Sequence, residues 1–535
     1  VTEPGGATGA DTGGGARAAR RRAPVRLAPR PWVRLDNASN IFPAARSAID
    51  PKVFRLGAEM DADVDPALLQ EALDETFDRY PLYHAVPRRG VFWHYLQDSP
   101  LRPVVAPERE HPCAPIHDPR RPRLLFRVVH HRRRIGLEVF HALSDGTGAL
   151  WFLTDLLDAY ARRLEGGPTP APEGSSSPPP VQDPAARASD AGASTGEAGT
   201  PREPSAAHDL VADSFAHHFR RRRGRKDPVI AGPAADAPTA GAPTAGAPPA
   251  AAPPADAFAR AAAPAALTVA EQAPDAPEPP PCPAAEERRV LRVRGTPTPD
   301  ARPRCVELTM PAAGVLALAK QERVSMTMLL TALFLVAVHR THGGPGRPRT
   351  LAVSVPVNLR QFFPSTSARN FFATIRLAHR MAGPDEDPGA VARALEESFR
   401  PQTAPDVLAV RLRSLIRYER SPALRVIPRP LKDLILRIVN ARTNRRLTIA
   451  VSNLGRVVLP EPAESRVRRM TFQVSAVRPQ FCAISHGGEL TITFTSPFVE
   501  TAHVREMTRM LTARGIDVSV AATRVTEAEL QQDGA

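Results

Sequence analysis

Residues 134–146 read RIGLEVFHALSDG, and what they form decides the fold. Ile135, Leu137 and Val139 alternate with Gly136 and Glu138, the period-2 pattern of a half-buried strand. Downstream, Leu150, Trp151, Leu153, Leu157, Ala161 and Leu164 recur at helical spacing. His141 therefore falls on a tight strand-to-helix turn, followed by Asp145 and Gly146. A base on rigid elements, beside the slightly positive start of a helix, is well placed for chemistry. The same residues also fit a loop histidine whose turn is capped by Asp145, with Gly146 allowing the bend.

Working outward, a first folded unit is expected over residues 31–165. Its strand candidates are Val53–Met60, Val91–Gln97, Leu124–His130 and Arg134–Phe140, with Arg132 and Arg133 turning the last hairpin. Between the first two strands, Asp65 caps a helix, Pro66 suits its first turn, and Leu69, Leu73, Phe77 and Tyr80 form its buried stripe. Residues 289–525 form a second expected unit. Helices are expected at Ala312–Gln321, Met326–Arg340, Gly389–Phe399, over much of Ala404–Asn440, and at His503–Thr512. Strands are expected at Thr350–Val355, Leu447–Ser452 and Phe481–Ser485, with a return through Leu490, Ile492 and Phe494 after Gly487-Gly488, and at Ile516–Val520.

The remaining chain has a different composition. Residues 1–30 form a basic tail rich in Gly, Ala and Arg, without the apolar stretch of a signal peptide. Residues 166–288 are rich in Pro and Ala, with near-repeats such as DAPTAGAPTAGAPPA at 236–250. Such composition cannot bury enough apolar surface to offset the entropy of ordering, so a disordered linker is expected. A helical island near 209–220 interrupts it, followed by Arg220–Arg223, Arg225 and Lys226. Residues 526–535 form a short tail. No membrane span is expected, since the greasiest run, Met326–Val338, falls short of the ~20 residues needed. Cys113, Cys282, Cys305 and Cys482 show neither CxxC pairing nor metal spacing, which points to free thiols and a cytoplasmic protein without a metal site. The net charge of +14, mostly arginine, has three readings: a GC-rich genome writing arginine wherever a base is tolerated, attraction to nucleic acid, or attraction to the phosphates of coenzyme A or to an acidic carrier protein. Few aromatics and no nucleic-acid motif favour the first over the second.

The run at 141–146 resembles the HxxxDG motif of the CoA-dependent acyltransferase superfamily, which includes chloramphenicol acetyltransferase and peptide-synthetase condensation domains. Many members carry a second histidine just before it; here Phe140 takes that place. The segments WVRLDNASNIFP at 32–43, VPVNLRQFFP at 355–364, RNFF at 369–372 and SNLG at 452–455 resemble its alcohol acetyltransferase-like bacterial branch, in the expected order. The resemblance implies an α/β (α+β sandwich) fold. Two chloramphenicol-acetyltransferase-like half-domains would form a pseudo-dimer around a central cleft, with His141 midway along a channel.

What it implies chemically is direct acyl transfer. His141 would take a proton from an alcohol or amine acceptor and return it to the departing thiolate, with acyl-CoA, acetyl-CoA above all, as co-substrate. Neither a covalent acyl-enzyme nor a permanently bound cofactor is implied, and the one GxSxG string, at 192–196, lies in the linker. Asp145 would pair with an arginine, for which Arg360 is the candidate, and Gly146 would allow close backbone approach or a positive φ. Asn358, Asn370, Ser452 and Asn453 are candidate oxyanion or channel contacts, while Asn37 suits a turn or cleft lining. An acyl carrier protein is the alternative donor partner. A nonenzymatic basic binding protein is the alternative of a different class.

Overall fold

The computed structural model describes residues 32–166 apart from 36–38 and 119, residues 215 and 218, and residues 289–529 apart from 345–347, 384, 420–425 and 527–528. Asn37, Cys282, the string at 192–196, the basic tail, the Arg220–Lys226 run and most of the expected linker lie outside the described residues.

The first half opens with β1 (Trp32–Arg34) and a short helix, α1 (Ile41–Ala45). Next come β2 (Val53–Met60), α2 (Pro66–Arg79), β3 (Ala85–Arg89), β4 (His94–Asp98) and β5 (Ala106–Pro107). The hairpin β6 (Phe126–His131) and β7 (Arg134–Phe140) then leads into α3 (Gly146–Leu164). Helix α2 starts where the sequence predicts, because the Asp65 carboxylate accepts from the N–H groups of Ala67 and Leu68 and Pro66 needs no partner.

The second half contains β8 (Arg304–Pro311), α4 (Ala312–Gln321), α5 (Met326–His342), β9 (Arg349–Asn358) and β10 (Phe372–Met381). Helices α6 (Pro388–Thr403), α7 (Pro405–Glu419) and α8 (Arg429–Arg445) follow. The chain finishes with β11 (Ile449–Arg456), α9 (Ala463–Arg466), β12 (Val467–Val474), β13 (Gln480–His486), β14 (Glu489–Ser496), α10 (Ala502–Thr512) and β15 (Ser519–Ala522). Among the described residues no single helix is long and apolar enough to cross a membrane, and α4 and α5 meet at 88°.

Two larger sheets carry the fold. One runs β10-β9-β11-β13-β14-β8-β15 and the other β12-β2-β7-β6-β5, while β1-β4-β3 make a small third sheet. Strand β12 comes from the second half by chain order yet pairs antiparallel with β2, placing Phe472 opposite Leu56. The five-stranded sheet is therefore completed by the second half, which ties the halves together across a long sequence separation.

Several local expectations need correction. Strand β7 is buried along both faces rather than one, because Glu138 is paired inside the protein with Arg127 at 2.6 Å and lies 3.6 Å from Arg55. A paired charge is tolerated where a lone one is not. The expected strand Val91–Gln97 begins only at His94, since the Gly90 N–H donates to the Trp93 carbonyl and closes a turn there. The final strand lies at Ser519–Ala522, not Ile516–Val520. Strands β3, β8, β10 and β12 were not read from the sequence at all.

Candidate active site

His141 follows the last residue of β7, and its N–H donates to the Lys52 carbonyl at 2.8 Å, which fixes the turn onto the neighbouring strand. Three phenylalanines surround the imidazole. Phe42 of α1 stacks on it at 4.3 Å and 9°, Phe54 of β2 meets it edge-on at 5.0 Å, and Phe372 of β10 lies at 5.7 Å. The ring is thus held by both halves of the molecule. Nδ1 is enclosed without a partner, so Nε2 is the nitrogen available to the adjoining cavity. Burial pushes the pKa of His141 below the ordinary 6.5. Its own carbonyl, Asp145 and Asn370 act in the opposite sense, and Lys52 adds to the lowering. The ring is therefore neutral at pH 7.

Asp145 turns away from the imidazole and caps α3. One oxygen accepts from the Gly148 N–H at 2.9 Å. The other accepts from Arg360 Nη1 and from the Phe371 N–H, each at 2.8 Å. Arg360 sits just past β9, and its Nη2 donates to the carbonyls of Ser367 and Arg369 at 2.8 and 2.6 Å. Both side chains are 7% exposed. Such a buried pair is tolerated because both carboxylate oxygens accept hydrogen bonds and both terminal guanidinium nitrogens donate, leaving the Arg360 Nε without a partner. The segment 367–371 closes over the histidine turn in two more places: Ser144 Oγ donates to the Ala368 carbonyl at 2.6 Å, and Asn370 Nδ2 to the His141 carbonyl at 2.8 Å.

The glycines divide their work unexpectedly. A Cβ on Gly146 would come to 3.0 Å from Leu454 Cδ2, so this residue serves close approach, not a left-handed backbone. The tighter position is Gly148, where a Cβ would lie 2.2 Å from the Ala368 carbonyl oxygen. The sequence gives no special mark to Gly148.

The cavity encloses about 290 Å³ and is walled by both large sheets, with His141, Asp145, Gly146, Asn358, Ser452 and Asn453 on its lining. Asn358 is engaged: its Nδ2 donates to Thr147 Oγ1 at 3.3 Å and its Oδ1 accepts from the Arg360 N–H at 3.1 Å. Asn453 is engaged too, donating to Thr327 Oγ1 at 2.9 Å and accepting from the Gly455 N–H at 2.8 Å. Asn370 is buried behind the turn and is not on the lining; its amide nitrogen serves Ser39 Oγ and the His141 carbonyl. Ser452, on β11, also lines the cavity, and its hydroxyl makes no hydrogen bond among the described residues.

Other lining groups were not read from the sequence. Lys52 pairs with Asp50 at 2.5 Å, and Arg478 bonds the Asn444 amide oxygen. Burial pushes the Arg478 guanidinium down to about 10, with Asp50 opposing. Cys482 also lines the cavity, but burial holds its thiol well above the ordinary range, so it offers no thiolate nucleophile.

No family model matches the sequence, and no curated protein matches it either. Solved structures do match. TRI101 of F. graminearum, complexed with coenzyme A and T-2 mycotoxin, is 10% identical with a TM-score of 0.52, the match covering 90% of this chain and 97% of that one. The first condensation domain of the calcium-dependent antibiotic synthetase, in complex with a substrate analogue, is 15% identical with a TM-score of 0.50, covering 90% and 96%. The chain therefore shares the fold of these condensation-domain and TRI101 structures. TRI101 of F. sporotrichioides, also complexed with coenzyme A and T-2, matches over 92% and 100% of the two chains at 10% identity and a TM-score of 0.50. Within this fold, the motif segments at 141–146, 355–364 and 369–372 come together at one turn, where His141, Asp145, Arg360, Asn370 and Phe371 all meet.

Proposed function

We propose that the protein transfers an acyl group from a CoA thioester to a hydroxyl or amine acceptor, with His141 as general base. One observation carries the reading: a neutral imidazole, gripped by rings from both halves, presents one nitrogen to a cavity between the two large sheets. The acceptor O–H or N–H gives its proton to Nε2 as the acceptor atom attacks the thioester carbonyl carbon. The tetrahedral intermediate then expels the thiolate, which takes the proton back from the imidazolium. Asp145 favours that transient cation and, through Arg360 and Phe371, holds the turn in shape. Acid–base help of this kind contributes ~10²–10⁴-fold. Ser452 is the donor we assign to the developing oxyanion, since its hydroxyl is uncommitted on the cavity wall.

Acetyl-CoA is the proposed donor and a small alcohol or amine the proposed acceptor. A carrier-bound thioester is the second reading, supported by the match to a condensation domain. A cytoplasmic setting is supported by Cys113, Cys305 and Cys482, each a buried free thiol. The test is thiol release from a panel of acyl-CoAs with alcohols and amines, run on wild type and His141→Ala. Release that persists in the variant removes the proposed base; release only from a loaded carrier moves the donor to the second reading.

A further inference from the structure

A second cavity, of about 250 Å³, adjoins α1 away from the imidazole. Phe42 lines the His141 cavity, while the next residue, Pro43, lines this one together with Arg46. Arg89, Arg429 and Arg437 complete a basic wall that faces a single carboxylate, Asp433. That carboxylate is already used, lying 3.8 Å from Arg429 Nε and 3.4 Å from His94 Nε2. The other arginines have only neutral partners. Arg46 donates to the His117 carbonyl at 3.0 Å, and Arg437 to the Ala44 carbonyl at 2.8 Å. Among the described residues no carboxylate pairs with Arg46, Arg89 or Arg437.

The uncompensated charge has consequences inside the cavity. Burial lowers the proton affinity of Arg46, and Arg89 and Arg437 lower it further, with Asp118 opposing. His117, on the same wall, is pushed to about 4 by burial, then by Arg46, Arg89 and His94. Asp118 offsets part of this on both Arg46 and His117, but guanidinium groups that no carboxylate pairs still repel one another, and an anion relieves that repulsion. Guanidinium forks match the oxygen geometry of phosphate and can grip it in pairs.

We propose that this cavity binds a phosphorylated ligand, a phosphate mono- or diester held by Arg46, Arg89 and Arg437. The site lies outside the His141 cavity and stands whether or not the acyl-transfer reading does. The same chemistry has two sources, a free phosphorylated metabolite or the phosphates of coenzyme A.

Calorimetric titration of the full chain with inorganic pyrophosphate, and separately with coenzyme A, tests it. Arg89 is exposed and its side chain makes no hydrogen bond among the described residues, while its backbone stays in the β3–β4 pairing, so Arg89→Gln should fold normally. The matched control is Arg88→Gln, an equal charge change on the adjacent residue, which bonds Gln97 and is not on the cavity lining. Pyrophosphate is expected to bind wild type and Arg88→Gln alike and to bind Arg89→Gln at least tenfold more weakly. A parallel loss for coenzyme A identifies its phosphates as the ligand; unchanged coenzyme A affinity identifies a separate phosphorylated ligand. Absence of pyrophosphate binding to wild type, or equal weakening in both variants, overturns the proposal.

Discussion

His141 and His117 line the two cavities that adjoin the helix Ile41–Ala45, and both rings are held below their ordinary proton affinity. Burial is the leading cause in each, but the company differs. Phe42, Phe54 and Phe372 surround His141, and the nearby Asp145 favours the cation. Around His117 the arginines disfavour it. A ring that starts neutral and has a carboxylate near its cation can take up a proton briefly; one crowded by fixed positive charge cannot. Depressed proton affinity alone therefore does not mark a base. The sign of the surrounding charge decides.

The largest expected effect follows directly. His141→Ala should lower thiol release ~10²–10⁴-fold while leaving the melting transition nearly intact. His117→Ala should cost far less. Equal losses measured side by side would erase the distinction between the rings.

The ion pairs of the two regions make a second contrast. Asp145→Asn or Arg360→Met breaks a buried pair and should lower unfolding free energy by ~3–5 kcal/mol in denaturant titration. Asp433→Asn touches a looser, half-buried pair beside the basic cavity and should cost no more than ~1 kcal/mol. Normal denaturation of both Asp145→Asn and Arg360→Met rules out the cross-half pair as a stabilising tie.

Acid should act on the same features. His503, buried against His342 and Phe334, is pushed to about 4 like His117. Unfolded imidazoles bind protons near 6.5 and these folded ones do not, so their contribution is present above 6.5 and lost as pH falls toward 4. For His503 the loss reaches ~3 kcal/mol, and it is smaller for the partly exposed His117. Denaturant titration at pH 7 and at pH 5 checks it; flat stability contradicts buried neutral rings. The acid limb of the rate should likewise fall below 6.5, because His141 remains a base there.

Phe42→Leu is expected to be the mildest change. It removes a stacked contact worth ~0.5–1.5 kcal/mol and lets water nearer the imidazole, so the His141 titration followed by NMR should move up toward 6.5. No movement would mean that Phe54 and Phe372 supply the desolvation.

Much of the site was legible because local chemistry writes it locally. The strand ending at Phe140, the cap at Asp145 and the long apolar face of α3 are adjacent in sequence, and hydrogen bonds within the turn fix them. The pairing of Asp145 with Arg360 came from a family resemblance, since nothing in spacing alone joins residues so far apart. Asn370 is a candidate contact only because it belongs to a matched segment of the second half; that its amide donates to the His141 carbonyl is decided by the fold. Strand β12 was missed because Arg468 and Arg469 interrupt its apolar pattern, and Arg469 makes sense only once Glu59 lies beside it at 2.8 Å.

Sequence by itself determined the strand, turn and helix that carry His141, the cap on α3, and the boundary of α2. These depend on alternation, helical periodicity and side chains that satisfy neighbouring backbone groups. Tertiary structure alone decided which arginines line one basic cavity, which asparagine is consumed in holding a turn, and which half completes the five-stranded sheet. Those outcomes depend on groups brought together from distant parts of the chain, where desolvation and charge act through space and leave no mark on local spacing.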